Sequence, residues 1–192
     1  MKNLIIIGHP NVKSFCYDGI FKTIHSELSN NNEEIEVIDL YRDDFIRPRK
    51  ALIEKYQELV IWSERIYFIS PIWWFRLTPR MEIFFDEVFV PGFAYEFVNI
   101  TKLYAYPRPF LKDKIVRTYV THGAPSFPVR TLYLNSVKLR LVMGVYTFVF
   151  GWRVSLFTKT KQFWSVPFVS ESKRKKYLKS IERDIKKDIR RA

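Results

Sequence analysis

The first sixteen residues constrain the fold more than any other stretch of this chain. An apolar run, Leu4 to Ile7, stops at Gly8-His9-Pro10, and a polar turn then leads to Ser14, which can cap a helix. A short β-branched run that ends in glycine and polar residues is typical of a buried parallel strand that opens into a loop. Ligands bind at the carboxyl ends of such strands, and amides at the next helix start suit a phosphate. The pattern predicts an α/β domain that holds a phosphorylated cofactor at its first turn.

Strand patterns alternate with helical patterns along the rest of the chain. We predict strands at residues 3–8, 34–40, 65–70, 114–120 and within 155–165, and helices at 14–28, 51–63, 79–89 and 131–145, with a basic helix at the end. This alternation implies βαβ units and a mostly parallel sheet. Residues 90–113 form a long, aromatic, Pro-rich connection, and connections of this length often have functional work or an interface.

Two later strand ends resemble the first in character. The third strand runs into Ser70-Pro71-Ile72-Trp73-Trp74-Phe75, and the fourth runs into Thr121-His122-Gly123-Ala124-Pro125. The carboxyl ends of parallel strands lie on one edge of a sheet, so one site can collect all three loops. Loop one offers the Ser14 hydroxyl, loop two offers flat apolar walls, and loop three offers Gly123, which lets backbone approach a ligand closely.

Length and composition favour one soluble domain over residues 1–192. A chain of 192 residues can bury a full core unaided, and its one cysteine, Cys16, excludes an internal disulfide framework. The first apolar run is too short for a secretory signal, and the longest later one, 142–152, is too short to cross a bilayer. We therefore expect a cytoplasmic protein in which Cys16 is a small packed residue rather than a nucleophile.

The net charge of +12 is concentrated near the end of the chain. Between Lys173 and Arg191 there are ten Lys or Arg residues and only three acidic ones. Apolar residues recur there every three or four positions, at Tyr177, Leu178, Ile181, Ile185 and Ile189. This spacing predicts an amphipathic helix with one buried stripe and a solvated basic surface. No nucleic-acid recognition motif or zinc signature accompanies the charge, so we assign neither a nucleic-acid partner nor a metal site.

Four motifs in this order resemble the flavodoxin-like NAD(P)H quinone reductase family. That family includes quinone reductases, bacterial drug-activity modulators and the ancillary subunits of glutathione-gated potassium efflux systems. The matching segments are His9-Pro10 with Ser14-Phe15, Pro71-Ile72-Trp73-Trp74-Phe75, Pro91-Gly92-Phe93-Ala94-Tyr95 and Thr121-His122-Gly123-Ala124-Pro125. The resemblance implies a flavodoxin-like α/β fold: a five-stranded parallel sheet of order 2-1-3-4-5 with helices on both faces.

The resemblance also implies a bound flavin, either FAD or FMN, with NAD(P)H as the hydride donor and a quinone-like acceptor. The positions at which family members hold the flavin phosphate are His9, Ser14, Phe15 and Cys16. The positions that border the isoalloxazine ring are Pro71, Ile72, Trp73, Trp74 and Phe75, and those at its other end are Thr121, His122, Gly123 and Ala124. The family further implies a homodimer whose second subunit covers the substrate pocket. The substrate-pocket positions are Trp74, Phe75, Tyr95 and Phe97.

Two tryptophans and one histidine need separate interpretation. Of Trp73 and Trp74, we expect one to point into the core and the other toward the ligand, and the family pattern favours Trp74 for the ligand. The quinone reductases carry a Tyr and a His after the third loop, whereas this chain has Tyr133 but no histidine beyond His122. Our hypothesis is that His122 is the catalytic residue and donates to the reduced flavin near N1/O2; the alternative is that it only bonds loop backbone.

Two functions remain open at this point. The first is an enzyme that transfers hydride from NAD(P)H through a flavin to a quinone or similar acceptor. The second is a regulatory subunit with little turnover, which docks on a potassium efflux antiporter through residues 90–110 and the basic helix. In that case the chain is a peripheral partner of a membrane protein.

Overall fold

A computed structural model describes residues 1–190, and five of its seven strands form one parallel sheet. The strands are β1 (Lys2–Ile7), β2 (Glu34–Asp39), β3 (Arg65–Pro71), β4 (Tyr95–Thr101), β5 (Tyr104–Pro109), β6 (Ile115–Thr121) and β7 (Thr160–Phe163). The parallel sheet has the order β2-β1-β3-β6-β7. Residues 191 and 192 lie outside the described residues. They are the last two residues of the predicted 1–192 domain and include Arg191, the last residue of the basic run.

The expected order 2-1-3-4-5 is corrected by two strands that the sequence analysis missed. Within residues 90–113, β4 and β5 pair antiparallel, from Tyr95 opposite Pro109 to Thr101 opposite Tyr104. Aromatic and β-branched residues favour strands, and prolines are tolerated because this two-stranded hairpin has only edge strands. The hairpin is separate from the main sheet, so the last two sheet strands become the sixth and seventh of the chain.

Helices fill the connections between the sheet strands. The longer ones are α1 (Lys22–Ser29), α2 (Lys50–Trp62), α3 (Pro79–Val88) and α8 (Glu171–Ile189). A π-helical segment, Phe15–Phe21, directly precedes α1. The short ones are α4 (Ser126–Arg130), α5 (Ser136–Leu139), α6 (Thr147–Phe150) and α7 (Val154–Lys159), with a second π-helical segment at Arg140–Tyr146. No described helix is both long enough and apolar enough to cross a membrane.

The predicted helix at 131–145 begins later than expected. Leu134 and Asn135 have φ of 48° and 52°, in the left-handed region, so the chain turns there and the helix starts at Ser136. Leu134 is well exposed, so no burial favours extending the helix backwards through the turn.

Alternate residues of the central strands face two separate cores. In β1, Leu4 and Ile6 pack with α2 and α3, whereas Ile5 and Ile7 pack with α1 and α8. This period of two places helices on both faces of the sheet, as predicted. The predicted stripe on α8 is confirmed: Ile181 and Ile185 are fully buried, and Tyr177, Leu178 and Ile189 pack partly buried around them.

Candidate cofactor-binding site

Three strand ends meet at one edge of the sheet and enclose a pocket. The amide of Gly8 donates to the carbonyl of Ile69 (2.9 Å), and the amide of Ile72 donates to the carbonyl of Thr121 (2.8 Å). These bonds join the ends of β1, β3 and β6. They leave a cavity of about 410 Å³ whose lining residues are His9, Lys13, Ser14, Phe15, Cys16, Pro71, Ile72, Trp73, Thr121, His122, Gly123, Val166, Pro167 and Arg174.

The first loop is shaped by hydrogen bonds from side chains to its own backbone. Nδ1 of His9 accepts from the amide of Asn11 (2.9 Å), and Oδ1 of Asn11 accepts from the amide of Lys13 (2.8 Å). Ser14 is the helix cap predicted from the sequence, and its Oγ accepts from the amide of Tyr17 (3.4 Å). The helical segment begins at Phe15, and the backbone amides of Phe15 and Cys16 have no acceptor within the helix. These two amides can therefore donate to an anion.

Cys16 lies in this pocket as a packed thiol, as expected. Its side chain is 1% exposed, and Sγ lies 3.5 Å from Oγ1 of Thr121, at the end of β6. Burial raises the pKa of the thiol to about 12, although the hydrogen bond with Thr121 acts in the opposite direction. A thiol held neutral in this way is a poor nucleophile.

The second loop differs from the prediction in where it places its tryptophans. The backbones of Trp73 and Arg76 exchange hydrogen bonds of 2.8 and 2.9 Å, and the two residues between them have left-handed φ values of 49° and 60°. This tight two-residue turn projects Trp74 away from the protein, where it is 96% exposed. The expectation that one tryptophan enters the core is therefore wrong. Trp73 lines the pocket beside the ring of His9, with a centroid separation of 5.9 Å.

Several predicted residues lie outside the pocket of a single chain. Trp74 and Phe75 are in the exposed turn, where the ring of Phe75 packs against that of Tyr133 with a centroid separation of 4.6 Å. Ala124 does not line the pocket, and its carbonyl accepts a hydrogen bond from the amide of Ser165. Tyr95 and Phe97 are in the hairpin, where their rings meet edge to face at 5.4 Å. Tyr95 borders a different, smaller depression, whose other lining residues come from α3, from residues 89–91 after it and from residues 144–149.

The third loop buries His122 against the end of β7. Its amide donates to the carbonyl of Phe163 (2.7 Å), and its carbonyl accepts from the amide of Val166 (2.9 Å). The side chain is 3% exposed, and burial lowers the pKa of the imidazole to about 4. His122 is therefore neutral at physiological pH. Gly123 follows it with open space around the position of a Cβ, which leaves the pocket accessible on this side.

Two cationic residues of the pocket were missed by the sequence analysis. Lys13 extends from the first loop, and Arg174 reaches the pocket from the first turn of α8. Arg174 donates to the carbonyl of Val166 through one terminal nitrogen (3.0 Å), while its buried Nε has no hydrogen-bond partner among residues 1–190. The basic run that contains Arg174 was visible in the sequence. The direction of this one side chain was not, because it depends on how α8 docks.

A flavin phosphate and ring fit the donors and walls of this pocket. An anion can accept from Lys13, Arg174, the Ser14 hydroxyl and the amides at the helix start. The buried, unpartnered Nε of Arg174 marks a donor for which the described residues supply no acceptor. A larger depression of about 630 Å³ lies near the start of α2, around Arg47 and Arg49, but none of the strand-end loops lines it. We assign the candidate site to the strand-end pocket.

Three quarters of the chain match a known protein family. Residues 1–144 match the model of a family described as having a flavodoxin-like fold. The chain belongs to this family. Two curated relatives from Bacillus subtilis (strain 168) are named uncharacterized NAD(P)H oxidoreductases. YdeQ is 30% identical over 95 residues, which are 50% of this chain and 45% of YdeQ. YrkL is 33% identical over 97 residues, 50% of this chain and 51% of YrkL. The chain thus matches about half the length of these relatives.

Solved structures resemble this flavodoxin-like protein over nearly its whole length. Smu.1420 from Streptococcus mutans UA159 is 27% identical, with a TM-score of 0.79 over 96% of this chain and 98% of the other. An NAD(P)H:quinone oxidoreductase from Methanothermobacter marburgensis is 20% identical, with a TM-score of 0.71 over 96% of this chain and 95% of the other. An FMN-dependent NADH-azoreductase from Bacillus anthracis, solved in complex with FMN, is 14% identical, with a TM-score of 0.71 over 97% of this chain and 98% of the other. The family match confirms the flavodoxin-like fold that the resemblance implied.

Proposed function

We propose that this protein is a flavin-dependent NAD(P)H oxidoreductase that reduces quinones or similar small acceptors. One observation carries the proposal: three strand-end loops, far apart in sequence, line a single pocket with cationic donors and flat apolar walls. Polar groups that converge in a concave apolar site at the carboxyl edge of a parallel sheet are the usual form of a cofactor site.

The cationic groups are suited to the phosphate of the cofactor. Lys13 and Arg174 supply positive charge, and Ser14 supplies a hydroxyl at the start of the helix. Hydrogen bonds between charged partners are stronger than neutral ones, so these groups contribute most of the phosphate affinity. Cys16 contributes its backbone amide, because its thiol is buried and paired with Thr121.

The apolar walls and His122 are suited to the ring of the cofactor. Pro71, Ile72 and Trp73 give a flat edge, and Gly123 leaves room for close approach. When bound, a flavin accepts a hydride from NAD(P)H and passes electrons to the acceptor. Neutral His122 acts as a hydrogen-bond donor to the ring, which stabilises negative charge that develops there.

The identity of the flavin and of the acceptor belongs to the proposal. The name of the similar azoreductase specifies FMN, and that of the similar oxidoreductase specifies a quinone. We therefore propose FMN or FAD as the cofactor, NAD(P)H as the hydride donor and a small quinone-like molecule as the acceptor.

We also propose that two copies of the chain complete the substrate pocket. Trp74 and Phe75 project beyond the pocket, and Phe97 in the hairpin is 58% exposed. Aromatic residues exposed in this way are typical of an interface. In a homodimer, Tyr95 and Phe97 of one copy cover the pocket of the other. Sedimentation velocity tests this arrangement, with a dimer expected for the wild type and a monomer for the variant Phe97→Asp.

A steady-state assay tests the proposed activity. The protein is loaded with flavin, and NADH or NADPH oxidation is followed with a panel of quinones and an azo dye. We expect acceptor-dependent oxidation that is lost when the bound flavin is removed and restored when it is added back. A flavin-loaded protein that oxidises neither nucleotide with any acceptor would overturn the enzymatic proposal and favour the alternative, a regulatory subunit that docks on an antiporter.

A further inference from the structure

Two residues near the end of β7 hold the ring of His122 in a fixed orientation. The side-chain amide nitrogen of Gln162 lies 3.0 Å from Nε2 of His122. The indole of Trp164 stacks on the imidazole, with ring centroids 4.2 Å apart and planes inclined by 24°. The stack is tied to the third loop, since the amide of Ser165 donates to the carbonyl of Ala124. Gln162 lies outside the four motifs that carry the family resemblance.

The partner of Nε2 decides where the proton of the neutral imidazole lies. An amide nitrogen only donates, so Nε2 of His122 accepts and the single proton resides on Nδ1. His9 has the opposite arrangement, because its Nδ1 accepts from the amide of Asn11. Within residues 1–190, Nδ1 of His122 makes no hydrogen bond, which leaves its N–H for a ligand in the pocket that His122 lines.

The surroundings of the ring favour the neutral form. The ionisable side chains that line the pocket are His9, Lys13, Cys16 and Arg174, and the lining residues include no carboxylate. Gln162, which faces Nε2, is uncharged. Burial lowers the pKa of His122, and no anionic side chain in the described part of the chain offsets that effect. The imidazole is therefore positioned as a neutral hydrogen-bond donor rather than as a general acid.

We propose that Gln162 is a positioning residue that fixes His122 as the Nδ1–H tautomer, with Trp164 holding the ring plane, so that His122 presents one hydrogen-bond donor to a carbonyl or ring nitrogen of the bound cofactor. The proposal rests on the proposed function for the identity of that acceptor. The tautomer itself is a property of the protein without any cofactor.

Nitrogen-15 NMR of histidine-labelled, flavin-free protein tests the tautomer directly. The chain has three histidines, and the variant His122→Gln assigns the signals of His122. We expect the Nδ1–H pattern for His122 and the Nε2–H pattern for His9. In Gln162→Leu, His122 should become a mixture of tautomers while His9 is unchanged. Gln57→Leu is the matched control, since it removes the amide of the other glutamine, which bonds the carbonyl of Val88 on α3.

A second variant tests the role of the amide by reversing its polarity. In Gln162→Glu a carboxylate faces Nε2, so the proton should move to that nitrogen and the pKa of His122 should rise by about 1–3 pH units. An Nε2–H tautomer in the wild type, or an unchanged His122 spectrum in both Gln162 variants, would overturn the proposal. A flavin titration of the same samples is read separately, so failure to bind flavin contradicts the proposed function and leaves the tautomer result intact.

Discussion

Arg117 in β6 binds Asp188 in α8 through two parallel hydrogen bonds of 2.7 and 2.8 Å, and both side chains are nearly fully buried. Burial disfavours the carboxylate, but the hydrogen bonds and charge of Arg117 outweigh that effect and hold the pKa of Asp188 below its usual value. The pair fixes the last turn of α8 to the sheet. The same helix carries Arg174 into the pocket from its first turn, so the docking of α8 also places one of the cationic residues of the pocket.

Breaking this pair should destabilise the protein strongly. Asp188→Ala removes both hydrogen bonds of the buried Arg117 guanidinium and leaves only the carboxylate of Asp184, 3.5 Å from Nη1, as its counter-ion. We therefore expect a loss of about 3 kcal/mol in the free energy of unfolding. Urea denaturation measures this loss. Asp113→Ala is the control, because the side chain of Asp113 is 70% exposed and its change should be small. Equal losses in the two variants would contradict the account of α8 docking.

Cys16 should be inert in the folded protein. Its thiol is buried and its pKa is raised to about 12, so an aromatic disulfide reagent at pH 8 should react with less than a tenth of the native molecules in the time that modifies all of the urea-unfolded ones. Absorbance of the released thiolate measures the reaction. Rapid, complete modification without denaturant would show that the pocket wall at Cys16 is open.

Arg174 should contribute to flavin affinity far more than its basic neighbours. Arg174→Ala removes a charged donor from the pocket, and we expect flavin to bind about 10- to 100-fold more weakly, since such hydrogen bonds contribute about 1.5–3 kcal/mol. Lys176→Ala, on the exposed surface of the same helix, removes equal charge and should leave affinity nearly unchanged. Similar losses in both variants would mean that general basic charge, not a specific contact, attracts the cofactor.

His122 should make stability depend on pH between its unfolded and folded pKa values. Burial lowers the folded pKa from 6.5 to about 4, so the unfolded chain binds the extra proton first as the pH falls. Stability is therefore complete above about pH 6.5 and declines toward pH 4. Between pH 7 and pH 4.5 the wild type should lose about 2 kcal/mol more than His122→Gln. Urea titrations at both pH values measure this, and parallel losses would contradict the buried neutral imidazole.

The parallel sheet and the three loops could be predicted because each depends on local pattern. An apolar run that ends at Gly8 or at Thr121 marks a strand end, and strand ends of a parallel sheet must share an edge. The hairpin was missed because Pro107 and Pro109 argue against a strand unless it lies at an edge, and edge position is a tertiary property.

The remaining site residues depend on geometry that sequence pattern does not contain. Trp74 was expected near the ligand, but a two-residue turn with left-handed φ values carries it outward. Arg174 and Gln162 lie near the third loop only because α8 and β7 pack beside it. Neither residue type is unusual on a basic helix or a short strand, so nothing local distinguished them.

An equilibrium titration with FMN and with FAD, followed by quenching of flavin fluorescence, tests the central claim that the three loops form one flavin pocket. Gly123 has open space around its Cβ position, so Gly123→Trp should fold normally while its indole fills the pocket. The account predicts saturable one-to-one binding of at least one flavin by the wild type and loss of that binding in Gly123→Trp, with urea unfolding unchanged. A wild type that binds neither flavin, or a folded Gly123→Trp variant that binds as tightly as the wild type, would contradict it.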